Sequence, residues 1–214
     1  MRYPLLVFDW DGTLIDSAPT IVACIQAACR DLGLTVPDEA RASHVIGLGL
    51  KDALSYAIPG LPADDYGRVV QSYRRHFVAR DPEIPLFPGA QAMLAGLKAR
   101  GHILAIATGK SRAGLTRALD NTALRPLFAA SRCADQCASK PAPDMLCELM
   151  EELGTDAVNT LMIGDTVHDL QMAAHAGVQA VAVSHGARGD LVALAPLACL
   201  ENIEELTRWL AQNA

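Results

Sequence analysis

The segment Asp9-Trp10-Asp11-Gly12-Thr13 places two carboxylates one residue apart, directly after the apolar run Leu5 to Phe8. At the end of a strand such a pair can enter one crevice, where ligands bind in open α/β sheets. Three readings follow: oxygen ligands for a divalent cation, a nucleophile with an acid/base partner, or a capping turn without chemistry. The turn explains one Asp and the glycine, and leaves the other carboxylate unexplained. Three further groups stand at or just beyond predicted strand ends. Thr108-Gly109-Lys110 closes the run Ile103 to Ala107, where a hydroxyl and backbone N–H groups ahead of a helix make an oxyanion cradle. An ordinary strand-to-helix turn has the same composition. Lys140-Pro141 carries one of only four lysines, the others being Lys51, Lys98 and Lys110. Gly164-Asp165-Thr166, with Asp169 four residues after Asp165, follows the run Leu161 to Ile163. Two more acids at the same sheet edge would complete a hard-cation site.

The elements that must position these groups are legible as apolar runs and helical spacings. Leu5 to Phe8, Ile103 to Ala107, Leu161 to Ile163 and Val178 to Val183 have the unbroken character of strands buried on both faces; Leu127 to Ala130 is a shorter candidate. Helical patterns lie between them, such as Met93, Leu94 and Leu97 before Gly101, and Met145 to Leu153 closed by Gly154. Strand alternating with helix predicts a parallel sheet covered on both sides. From about Asp16 to Ile84 only helical spacing recurs, as in Ile21, Ile25, Cys29 and Leu32. Turn residues bound this segment: Asp16-Ser17-Ala18-Pro19 on one side, Pro82, Pro85, Pro88 and Gly89 on the other. The expected organisation is an α/β core of residues 1–15 and 85–214 and a helical insertion of 16–84 placed after the first strand.

Composition narrows the partners. The chain has 214 residues, 51% of them hydrophobic and 20% charged, which excludes disorder, collagen-like repeats and coiled coils. A net charge of −6 without a basic run argues against nucleic acid or an anionic membrane, and no apolar run approaches the roughly 20 residues that span a bilayer. Four apolar residues before Asp9 are too few for a signal peptide, so a cytoplasmic location is expected. The six cysteines are accordingly expected to be reduced, small and mostly buried.

Taken in order, DWDGT, ATGK, KP and GDTVHD resemble the four motifs of the haloacid dehalogenase-like (HAD) phosphohydrolase superfamily, with closest similarity to its phosphoglycolate phosphatase-like members. The resemblance spans the chain and implies a Rossmann-like core with a helical cap inserted after the first motif. It implies a phosphatase acting on phosphoglycolate, a sugar phosphate or another small phosphorylated metabolite, with Asp9 as nucleophile and Asp11 as general acid and then base. Mg²⁺ would be held by the Asp9 carboxylate, the Asp11 backbone carbonyl and Asp165. Lys140 would neutralise the nucleophile and the transferring oxygens, Thr108 and Gly109 would bind those oxygens, and Asp169 would orient Lys140 or the metal's waters. Trp10 departs from the Leu, Met or Phe common between the aspartates. It favours a second reading, a phosphonoacetaldehyde hydrolase-like C–P cleavage with Lys51 as Schiff-base lysine, which Asp11 and the surroundings of Lys51 weaken. The resemblance also admits a phosphomutase of the same superfamily. A non-catalytic binding module fits least, because it would be expected to lack one or more of Asp9, Asp11, Lys140 and Asp165, and all four are present. His44, Lys51, Arg74, Arg75 and His76 are candidates for substrate recognition, each against a solvated helix face, and His168 and His175 are given no role. Either a monomer or a homodimer fits.

Overall fold

The first strand, β1 (Leu5–Phe8), is apolar at all four positions because both of its faces are covered, and all four side chains are buried. The protein, seen in a computed structural model, is described over residues 1–186 and 189–214. Strands β2 (Ile103–Thr108), β3 (Ala130–Cys133), β4 (Thr160–Gly164), β5 (Gln179–Val183) and β6 (Cys199–Leu200) join β1 in one parallel sheet of order β3-β2-β1-β4-β5-β6. The order reverses between β1 and β4, so the connections leave these strands in opposite directions and open a crevice at their C-terminal ends. Phe8 lies level with Ile106 on one side and Ile163 on the other. That register puts Asp9 beside the ends of β2 and β4.

Helices α1 (Ala18–Asp31), α2 (Glu39–His44), α3 (Leu50–Ala57) and α4 (Ala63–Arg80) follow β1 before α5 (Ala90–Ala99) returns the chain to the sheet. Their buried faces, including Cys24, Ile25, Leu54, Val69 and Phe77, form a cluster of their own, separate from those on the two faces of the sheet. The outgoing and returning connections pair with each other. Ile15 bridges Leu86, the Asp16 N–H donates to the Pro85 carbonyl at 3.0 Å, and the Phe87 N–H donates to the Leu14 carbonyl at 3.0 Å. The remaining helices are α6 (Arg112–Thr122), α7 (Asp144–Leu153), α8 (Val167–His175) and α9 (Ile203–Asn213). None of the described helices is long and apolar enough to cross a membrane.

Two expectations need correction, and one strand went unforeseen. The third strand is Ala130–Cys133 rather than Leu127 to Ala130. Pro126 lacks an N–H and fixes φ, so Arg125–Leu127 winds as a 3-10 turn, from which Leu127 and Phe128 pack on the core. The two-residue β6 is too short to leave a periodic signal. All six cysteines are free, but only Cys24, Cys29 and Cys133 are buried, while Cys147 is exposed on α7.

Leu54 is wholly buried among α1–α4. Leu54→Ala is expected to cost about 2–5 kcal/mol, read as a lowered urea midpoint.

Candidate active site

Lys140 is among the largest fully buried side chains of the protein. Its ammonium lies 2.8 Å from Asp9 Oδ1 and 2.7 Å from Asp169 Oδ1, and all three side chains are inaccessible to solvent. The loop after β3 delivers the lysine across a cis Lys140-Pro141 bond, and the Pro141 carbonyl accepts a hydrogen bond from His175 Nδ1 at 2.7 Å. Asp169 is held independently. As N3 of α8 it forms a capping box with Thr166, whose N–H and hydroxyl both donate to Asp169 Oδ2, at 3.0 and 2.7 Å. Both Asp169 oxygens are therefore engaged, which makes it a support for Lys140 rather than a free ligand.

Asp165 completes an acidic cluster in which oxygens of Asp9, Asp165 and Asp169 lie within 4.8 Å of one another. Thr13 donates to Asp165 Oδ1 at 2.6 Å. Gly12 has φ +85°, and a Cβ there would stand 2.2 Å from Asp165 Oδ2, so both the backbone conformation and the space demand glycine. Burial raises the Asp9 pKa from 3.8 to about 7; Lys140 opposes the rise and Asp169 adds to it. Asp165 is pushed up in the same direction by desolvation, then by Asp9 and Asp169. Burial alone would lower the Lys140 pKa, but Asp169 and Asp9 together raise it. Three carboxylates thus face one ammonium, and Asp9 Oδ2 is buried without a hydrogen-bond partner among the described residues. An all-oxygen cluster short of positive charge, with an unsatisfied carboxylate oxygen, fits a hard divalent cation.

The alternation of an extended chain turns Trp10 into the core, edge-on to Phe128 at 6.4 Å, and leaves Asp9 and Asp11 on the crevice side. Asp11 Oδ1 accepts from the Ser17 hydroxyl at 2.7 Å and lies 3.0 Å from Lys110 Nζ. The same ammonium sits 4.6 Å above the Phe77 ring of α4. Sequence patterns assign no role to Lys110, Ser17 or His175. Lys110 stands inside the Thr108-Gly109-Lys110 group, where a lone lysine gives no sign of its partner. Thr108 is buried and its Oγ1 accepts from the Lys110 N–H at 3.2 Å.

The helical insertion closes over these loops through Gly47-Leu48-Gly49. A Cβ on Gly109 would lie 2.3 Å from the Leu48 carbonyl oxygen, so only glycine permits this approach, and the Gly49 N–H donates to Ser139 Oγ at 2.8 Å, one residue before Lys140. Of the polar residues on the insertion, Arg75 and His76 are tied to Asp31 at 2.6 and 2.8 Å, within the helices. His44 packs on Tyr56 and edge-on to His168, whose Nε2 donates to the His44 carbonyl at 3.3 Å across to α8. Lys51 and Arg74 line a cleft of about 610 Å³ that also contains Asp11 and Lys110.

Residues 6–183 match the family described as haloacid dehalogenase-like hydrolase. The chain belongs to this family. It is 39% identical over 190 residues, 86% of this chain and 82% of the relative, to the protein of Dickeya dadantii named "Probable phosphatase IndB". It is 31% identical over 220 residues, 100% of this chain and 97% of the relative, to a phosphoglycolate phosphatase of Mesorhizobium japonicum. A solved hydrolase from Pseudomonas syringae shares the fold, with a TM-score of 0.90 at 22% identity and full coverage of both chains. The haloacid dehalogenase-like chain is a phosphohydrolase.

Two consequences can be measured. Lys110→Met leaves the buried Asp11 carboxylate without its counter-ion and is expected to destabilise the fold by about 3 kcal/mol, visible as a lowered urea midpoint that Lys110→Arg largely restores. With no metal bound, burial raises the folded-state pKa of Asp9, to about 7, above its unfolded value of 3.8. Its contribution to stability is therefore complete below the lower value and is lost as pH rises through the upper one. In EDTA, the wild-type unfolding midpoint relative to that of Asp9→Asn should fall as pH is raised from about 4 to about 7.

Proposed function

We propose that the protein is a Mg²⁺-dependent phosphatase that hydrolyses a small phosphate monoester through an aspartyl-phosphate on Asp9. The observation that carries this reading is Lys140 Nζ, buried between Asp9 and Asp169 within the three-carboxylate cluster. Asp9 is held by one cation yet keeps Oδ2 free of hydrogen bonds, as a nucleophilic carboxylate needs. Asp9, the Asp11 carbonyl and Asp165 would hold Mg²⁺, which would offset the repulsion between carboxylate and phosphate. The relatives named as phosphatases support the substrate class.

In this reading an Asp9 oxygen attacks phosphorus as the bond to the alkoxide breaks, and Asp11 delivers a proton to the departing oxygen. Asp11 then takes a proton from the water that hydrolyses the acyl-phosphate, regenerating Asp9. Lys140 lowers the negative charge on the transferring oxygens, while the Thr108 hydroxyl and the Gly109 N–H orient them, which is the positioning on which phosphoryl transfer depends. Asp169 holds Lys140 in place and His175 holds the loop that carries it. Residues 16–84 serve as the cap, and its Gly47–Gly49 loop limits the access of bulk water to the acyl-phosphate.

Purified protein with Mg²⁺ and p-nitrophenyl phosphate is expected to release nitrophenol, and Asp9→Asn to lower kcat/KM by on the order of 10³-fold or more. EDTA should abolish turnover and added Mg²⁺ restore it. Acid-quenched enzyme should carry a hydroxylamine-sensitive phosphate. Turnover that survives Asp9→Asn would refute the proposal.

A further inference from the structure

Asp11, as the proton donor of the proposed phosphatase, marks where the leaving oxygen departs, so the groups beyond Asp11 meet the alcohol of the substrate. The first is Lys110, 3.0 Å away, and above it lies the Phe77 ring. Tyr73 stacks on Phe77 with centroids 5.7 Å apart and planes inclined by 22°. The charge of Asp11 reaches Tyr73, where it adds to burial in keeping the phenol protonated. A shelf of two aromatic rings, Tyr73 half-buried and Phe77 buried beneath the Lys110 ammonium, therefore adjoins the acid.

The Gly47–Gly49 loop lies against Gly109 and Ser139 and, with α4, lines the cleft that opens from Asp11. There the cleft holds about 610 Å³, and the cap lines it with Tyr66, Val70, Tyr73 and Phe77. That size belongs to pockets that bury ligands of ring size and larger. A two-carbon acid such as glycolate would leave most of it to water.

Charge points the same way. The cations close to the reaction are taken: Lys110 by Asp11, Lys140 by Asp9 and Asp169, and Arg117 by Asp81 at 3.4 Å. Lys51 and Arg74 line the cleft as exposed side chains, where solvent screening leaves a small carboxylate little to gain.

We propose that the substrate is a phosphate monoester whose alcohol carries a planar ring, seated against the Tyr73–Phe77 shelf. The proposal rests on the phosphatase reading above.

The test compares kcat/KM for four primary alkyl esters, so that differences in leaving ability do not decide the outcome. Benzyl phosphate and uridine 5′-monophosphate carry rings; phosphoglycolate and glycerol 3-phosphate do not. The ring-bearing esters are expected to be at least tenfold better. Tyr73→Leu should lower the ratio of ring-bearing to ringless kcat/KM at least fivefold, a ratio that does not depend on the fraction of enzyme folded. Ringless esters equal to or better than the others, or a ratio unmoved by Tyr73→Leu, would overturn the inference and leave the phosphatase reading standing. Failure to hydrolyse any of these esters or p-nitrophenyl phosphate would remove the phosphatase reading and this inference with it.

Discussion

A lysine ammonium with no access to water must be compensated by carboxylates, and around Lys140 two of them, Asp9 and Asp169, lie within 2.8 Å. The desolvation of such a group is offset only when its partners are close and are themselves held in place. The local structure supplies both conditions. The register of β1 with β4 brings Asp9 to the crevice, the Thr166 capping box fixes Asp169, and the His175 hydrogen bond secures the chain at Pro141. The same buried ammonium sets the charge balance of the cluster. It balances one of three clustered acids and leaves a deficit of positive charge that suits a divalent cation and a phosphate.

A second, smaller device joins the inserted helices to the sheet. Lys110 pairs with Asp11 on one side and with the face of Phe77 on the other, so the Asp11 carboxylate and helix α4 share one cation. Close backbone contact between Gly109 and Leu48 works alongside it. Neither contact resembles the broad apolar packing within α1–α4, so the helices are internally firm and meet the sheet through a few polar and backbone contacts. As the cover of the proposed phosphatase site, they need such a division, because substrates must enter before water is excluded.

Much of this is legible in the residues. Strands β1, β2, β4 and β5 are apolar on both faces, a pattern that solvent-facing strands do not show, and the acids at their ends stand out against it. The third strand is hard to place because Leu127 and Phe128 are apolar for packing rather than for pairing, and Pro126 is the only local sign of the turn. Lys110, Ser17 and His175 are inconspicuous for a different reason. Each is a common residue whose role lies in a partner that spacing does not reveal, 99 residues away in the case of Lys110 and Asp11.

By itself, the sequence determined which residue types stand at the ends of buried strands, because burial on both faces demands apolar runs and their abrupt end at an acid is a local signal. It likewise marked 16–84 as helical, since the spacing of apolar residues reports on one helix at a time. Only the tertiary structure decided that Lys140 is sealed from water between two acids, that Asp11 is paired with Lys110, and that aromatic rings adjoin it. Those facts depend on distances between segments far apart in the chain, set by strand order and the closure of the inserted helices, and no local pattern encodes them.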